Sequence, residues 1–226
     1  MVIRYPVLLI LLLGMVFACK AEKAAEPAKP APVIVIKPER PVLTSEQRKE
    51  LGFPADIISQ IESAAAAEAE PFYAADETGR LSGFSVRTKR AEVVIETYRG
   101  KLLAKGYLLF KSHNGFGNLP DIVTVTKGQD SYDILKIQRT EGPKYHLKTD
   151  AIISWLTERQ KDASFVVTGA GHYWVEAQFV KMPQNIDEFA KKVSAFAPDV
   201  LVRGPGTQEK LVERMKKTNG FLLVWD

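Results

Sequence analysis

Apolar residues fall into three regimes along this chain. From Val7 to Ala18 they form an unbroken run of twelve residues, counting Gly14. A membrane-crossing helix needs about 20 such residues, so this run is too short to span and has the length of a secretory signal core. Residues 20 to 41 are rich in Ala, Lys, Glu and Pro, with Pro27, Pro30, Pro32, Pro38 and Pro41 spaced through them. Such a segment cannot sustain a helix and extends at about 3.1 Å per residue. Its apolar patch Val33-Ile34-Val35-Ile36 reads first as part of the spacer and second as an edge strand. From Thr44 onward the pattern becomes globular.

In that last regime the periodicity predicts elements. Thr44 with Gln47 is a capping box opening a helix. Gly52 and Pro54 break it, and a second helix runs through the Ala-rich stretch to about Glu70. Phe84 to Arg87 is a short strand. Ala91, Val94, Ile95, Tyr98 and Leu102 recur at helical spacing and stop at Gly106. Tyr107 to Lys111 is a strand, followed by a Gly/Asn/Pro loop from His113 to Asp121. Ile122 to Lys127 and Tyr132 to Arg139 read as paired strands around Gly128-Gln129-Asp130. Thr149 caps a helix carrying Ile152, Ile153, Trp155 and Leu156. Ser164 to Thr168 and Tyr173 to Lys181 are strands around Gly169-Ala170-Gly171. Asn185 and Glu188 open a helix that Pro198 stops. Thr207 to Asn219 is the last helix, and Phe221 to Trp225 is wholly apolar, the mark of a central strand buried on both faces. The sum is an α+β fold: a mixed, largely antiparallel sheet with helices packed on it, in one domain over residues 44–226.

Composition narrows the classes. The 226 residues are 46% hydrophobic and 26% charged, which excludes wholesale disorder. With 31 basic against 27 acidic residues the net charge is only +4, so no nucleic-acid partner is expected. The single cysteine excludes an internal disulfide, a thiolate zinc site and an iron–sulfur cluster.

That cysteine is Cys19, and it ends Val16-Phe17-Ala18-Cys19 directly after the apolar run. The segment resembles the bacterial lipobox. The resemblance implies a signal peptide over residues 1–18, cleavage before Cys19, and a lipidated, palmitate-bearing Cys19 heading a tether over residues 19–43. Several acyl chains hold a protein on a membrane where one holds only marginally. Lys20 after the cysteine resembles the pattern sent to the outer membrane. The expected localisation is therefore the bacterial cell envelope, lipid-anchored on the periplasmic side, with the outer membrane favoured over the inner in a Gram-negative cell.

Chemistry-bearing motifs are sparse. Gly169-Ala170-Gly171 follows a strand, but the third glycine of a dinucleotide fingerprint is missing and a strand follows where a helix is required. GxxxxGK, HExxH and GxSxG motifs are absent, and no cofactor is expected. Along the strand from Tyr173, alternation places Tyr173, Val175, Ala177 and Phe179 on a core face. His172, Trp174, Glu176 and Gln178 take the other face, where an aromatic, a carboxylate and an imidazole suit a polar ligand or a partner. His172 and Glu176 are too few for a metal site without a third ligand such as Asp199. His113 and His146 read as solvent-facing, and Lys210, Arg214, Lys216 and Lys217 as a solvated helix face balanced by Glu209 and Glu213.

Gly169-Ala170-Gly171, Trp174-Val175-Glu176-Ala177, Phe196-Ala197-Pro198-Asp199, Gly204-Pro205-Gly206 and Leu223-Val224-Trp225-Asp226 together resemble the bacterial domain-of-unknown-function family 4253, over roughly Ser131 to Asp226. Leu51-Gly52-Phe53-Pro54 and Tyr132-Asp133-Ile134-Leu135 look similar too. The chain departs from the family's pattern at Ala197, where a cysteine is common, at Tyr173, where an acidic residue is common, and at Val224. The resemblance implies a fold unit rather than an activity. Two functions follow as expectations. The first is a non-enzymatic binding domain of the envelope, an immunity-like role being one version, that grips a protein or ligand through His172, Trp174, Glu176, Asp199, Gly169, Gly171 and Trp225. The second is a hydrolase or small-ligand site, with or without a metal, in a His172/Glu176/Asp199 cleft.

Overall fold

The computed structural model describes residues 40–75 and 79–226. The signal segment, Cys19 and most of the tether lie outside them. The globular unit already includes Leu43, which the composition assigns to the tether. Its side chain is buried and its N–H donates to Ala69 O at 2.7 Å.

The described residues begin with helices α1 (Ser45–Leu51) and α2 (Ala55–Ala65), then strands β1 (Glu70–Tyr73) and β2 (Leu81–Thr88), helix α3 (Ala91–Leu103), and strands β3 (Tyr107–His113) and β4 (Asp121–Lys127). Helices α4 (Asp133–Ile137) and α5 (Thr149–Arg159) lead to strands β5 (Ser164–Gly171) and β6 (Trp174–Lys181). Helices α6 (Ile186–Phe196), α7 (Asp199–Val202) and α8 (Gln208–Thr218) precede the final strand β7 (Gly220–Val224). Among the described residues these strands form a seven-stranded sheet in the order β1-β2-β4-β3-β5-β6-β7. Every neighbouring pair is antiparallel except β3 with β5. The α+β architecture with a mostly antiparallel mixed sheet therefore holds.

Helices cover the sheet unevenly. Leu109 of β3 shares one face with Phe84, Val86, Val123 and Val125, which pack under α1, α2 and α3. Leu108 and Phe110 point to the other face, where Val167, Val175, Ala177, Phe179, Phe221 and Leu223 pack under α4 to α8. The first helical layer thus covers the β1–β3 half of one face, and the second covers the β3–β7 half of the opposite face. Among the described residues, no helix lies on the α3-side face over β5, β6 and β7.

Local chemistry sets most boundaries. Thr44 and Gln47 form the full capping box, and Gly52 closes α1 at φ 61°. Asn185 caps α6 by accepting from Glu188 N, and Thr207 caps α8 by accepting from Lys210 N. Thr149 does not cap α5; it is the first helical residue, and its hydroxyl donates to Thr140 O at 3.0 Å.

Four elements differ from the sequence pattern. Helix α2 ends at Ala65 rather than near Glu70, despite the high helix propensity of the alanines that follow. Glu62 Oε1 accepts from Ala69 N at 3.0 Å, and Glu70 pairs with Ser85, so the sheet overrides propensity. Tyr132 to Arg139 contains a helix, not a strand. Asp130 accepts from Tyr132 N through its side chain and from Asp133 N through its carbonyl. Ile134 and Leu135 are adjacent and both buried in one core, which a strand's alternation does not permit. Strand β5 runs through the three-residue Gly169–Gly171 segment, and the turn is His172-Tyr173, so Tyr173 is 43% exposed rather than core. Strand β7 lies at the sheet edge, not at its centre. Its apolar character comes from α7 and α8 packing beside it.

Candidate functional site

The helix-free half of the α3-side face forms the floor of a groove of ≈ 1010 Å³. Thr168 of β5, Glu176 and Gln178 of β6, and Leu222 of β7 line it. Glu92 and Ile95 of α3, with Phe116 and Leu119 of the β3–β4 loop, form one wall, and Arg203, Arg214 and Met215 of the α7–α8 region form the other.

At the foot of the first wall lies Lys111, only 3% exposed. It occupies the face phase of Leu109 on a strand that is otherwise largely apolar. A buried ammonium is sustained only by close anions. Its Nζ donates to Glu92 Oε1 at 2.7 Å and to Glu176 Oε1 and Oε2 at 3.2 and 3.1 Å, and Asp121 Oδ2 stands 3.8 Å away. Burial pulls the Lys111 ammonium down, but the Glu176 charge and the hydrogen bond to Glu92 outweigh it and raise the group above the ordinary lysine value. Burial conversely pushes Glu92 up, and the Lys111 hydrogen bond and charge hold it below the ordinary carboxylate value. Lys111 and Glu92 are thus ionised across the neutral range. With Asp121, three carboxylates surround one ammonium.

A bulge in β5 delivers this geometry. The register steps from Val167↔Ala177 to Gly169↔Glu176, and Thr168 Oγ1 donates to Glu176 O at 3.4 Å. Gly169 and Gly171 then serve close packing rather than phosphate binding. A Cβ on Gly169 would stand 2.9 Å from Lys111 Cβ and 3.1 Å from Trp174 Cζ3, and one on Gly171 would overlap Trp174 Nε1. The glycines are the flat seat of the Trp174 indole and of the Lys111 stem.

The other residues singled out in the sequence do not join Glu176. His172 sits exposed in the β5–β6 turn, its ring 4.3 Å from that of Tyr173 and its carbonyl accepting from Glu141 N at 2.7 Å. Asp199 is buried at the start of α7, where it accepts from Tyr145 Oη at 2.8 Å, from Asp226 N at 2.9 Å and from Lys144 Nζ at 3.2 Å. Burial opposes its charge, yet these donors hold it below the ordinary aspartate value. Trp225 is a core residue, 1% exposed, and its Nε1 donates to Phe196 O at 3.1 Å. A ligand cannot reach it without unpacking the core. Asp199 and Trp225 together fasten the chain's last residues. Among the described residues no group of three or more His, Cys, Asp or Glu is arranged to hold a metal ion. The His172/Glu176/Asp199 cleft is therefore not assembled: only Glu176 lines the groove. Sequence reasoning missed Lys111, Glu92 and Asp121. The available signal was a lysine in the core phase of an apolar strand.

Residues 122–226 match the model of a family described as a domain of unknown function, DUF4253. The match begins inside β4, so residues 51–54 fall outside it. It contributes Glu176 and Arg214 to the groove, while Lys111 and Glu92 come from the preceding segment. No curated protein and no solved structure matches the chain.

Proposed function

We propose that this chain is a bacterial envelope lipoprotein, held to the membrane through lipidated Cys19, whose globular unit is a non-enzymatic binding module using the groove over β5–β7. The observation that carries the binding reading is the uncovered sheet face itself. A helix-free floor of ≈ 1010 Å³ volume with an ionised cluster at its foot is shaped for a ligand, and pockets of this size typically bury most of a bound molecule. The anchor rests on the Val16-Phe17-Ala18-Cys19 sequence and its place after a short apolar run.

Two measurements test the two halves. Metabolic palmitate labelling should mark the native chain and not Cys19→Ser; equal labelling of both removes the anchor. For the groove, a photo-crosslinking amino acid is placed at Leu222 or at exposed Val180 in the full-length protein in its own cells. Discrete adducts from Leu222 but not from Val180 support the reading, and the same adducts from both positions, or none from Leu222, refute it.

A further inference from the structure

From the backbone of β7 we infer that the groove's occupant is an extended polypeptide strand, carrying basic side chains on one face, which adds to the sheet along the free edge of β7. The inference deepens the groove reading and rests on it.

Trp225 N donates to Tyr173 O at 2.9 Å, and Phe179 N donates to Asn219 O at 2.8 Å, at the two ends of the β6–β7 ladder. Between them the register is unbroken, from Trp174↔Val224 to Gln178↔Gly220. In an antiparallel pair, alternate residues spend both backbone groups on the neighbour and the others point both away. Phe221 and Leu223 therefore bond to β6. Gly220, Leu222 and Val224 direct N–H and C=O away from β6; of the three Leu222 is the partly exposed one, and Gly220 and Leu222 line the groove. Among the described residues no strand pairs with this edge, and β7 is Gly-Phe-Leu-Leu-Val, without charge, proline or bulge, with α7 and α8 standing beside it. Natural sheets blunt edges that are not meant to pair, and strand addition uses such edges, with the backbone giving affinity and side chains giving specificity.

Charge chooses the side chains. Glu176 stands opposite Leu222 in the ladder, so a residue added opposite Leu222 lies about two strand spacings, roughly 9.6 Å, from Glu176. A lysine or arginine spans that gap toward a cluster where three carboxylates share one ammonium. On the other side of β7, Leu211 and Met215 of α8 border the groove but are already buried in the core, so specificity rests on the charged face. The cations at that end are Arg203, paired with Asp226, and Arg214.

The probe is acetyl-Thr-Lys-Val-Lys-Val-Lys-Thr-amide, measured by fluorescence anisotropy against the full-length protein in detergent. It should bind at least ten-fold more tightly than its alternately N-methylated form and than its Glu-for-Lys form. Leu222→Pro should abolish binding, because it removes an N–H that β6 does not use. Leu222→Lys is the second edge variant should the proline unfold the strand, and Glu176→Gln should weaken binding several-fold. Amide exchange of the free protein should be fast at Leu222 and slow at Phe221 and Leu223, with the peptide slowing Leu222. Equal binding of the N-methylated peptide, or no binding by the probe, overturns the inference. Slow exchange at Leu222 that is lost when residues 33–36 are changed to serine, or that depends on protein concentration, assigns the edge to the chain's own segment or to a second copy, and also overturns it. Adducts from Leu222 without strand pairing would leave the groove reading standing and remove only this inference.

Discussion

The two edges of the sheet are built on opposite plans. Strand β1 is short, carries Pro71, and shifts register between Phe72 and Tyr73. Its Glu70 accepts from Arg87 Nε at 2.9 and 3.1 Å, so charge lies along it as well. These are devices that stop a strand from acquiring a neighbour. Strand β7 has none of them and opens on the groove. The contrast teaches that the first edge is closed by its own sequence, whereas the second is left pairable and is controlled by what stands around it. Perturbing those surroundings, and then the guards themselves, separates the two plans.

The largest effect is expected where β7 is fastened. Trp225 fills the core beneath its end and packs edge-on to Phe196 with centroids 5.6 Å apart. Trp225→Ala should cost about 3–5 kcal/mol through the cavity it leaves. Urea denaturation should report this as a lower midpoint with little change in slope. A loss under 1 kcal/mol would mean that β7 is held from elsewhere.

Next comes the cation under the groove. Lys111→Met leaves Glu176 and Asp121 facing each other without their counter-charge, and a loss of about 3 kcal/mol is expected, the low end for a broken buried pair, because Glu92 reaches solvent. Adding Glu176→Gln should recover part of it. The pH profile gives the sign. Glu92 is held below its ordinary value, so its contribution is complete above about pH 4.3 and fades as pH falls through its folded value. Lys111 is raised, so its contribution is complete below about pH 10.4 and fades as pH rises through its folded value. Native protein should show a stability plateau between those limits, and Lys111→Met should flatten both flanks. Unchanged flanks in the variant would show that other groups set them.

Gly171→Ala should act more mildly. Its Cβ would meet the Trp174 indole, which must shift at a cost of about 1–3 kcal/mol. A change in tryptophan fluorescence should accompany the loss, and native fluorescence with native stability would show that the indole needs no glycine seat.

These residues also show what a sequence can carry. The helix openings at Thr44 and Asn185 were legible because a cap is a local bond between residues three apart. The core face Val175, Ala177 and Phe179 was legible because alternation is local too. Strand β7 was misplaced because an apolar run reports burial, not the element that buries it; helices at an edge do so as well as strands at a centre. Glu176 was found by its face phase, but its partners were not. Lys111 lies far away in the chain, and only the β3–β5 pairing brings Lys111 opposite Gly169, beside Glu176. Asp199 and Trp225 looked like site residues because polar and aromatic groups suit both binding and anchoring, and only their partners separate the two uses.

The smallest effect on stability falls at the guarded edge, and it tests the comparison most directly. Pro71 pairs with Phe84 without an N–H to offer, and β1 lies outside the groove lining. Pro71→Thr restores the donor and raises strand propensity on a partly exposed edge, so the change in unfolding free energy should stay within about 0.5 kcal/mol. What should change is association. With one guard removed, but the register shift and Glu70 still present, the variant should self-associate more than native protein at matched concentration, measured by sedimentation velocity in detergent. Changing Glu70 to Thr as well should increase it further. If neither variant associates more, β1 is closed by its shortness and not by its guards. If native protein already associates through β7, the second edge is a contact between copies rather than a seat for an added strand.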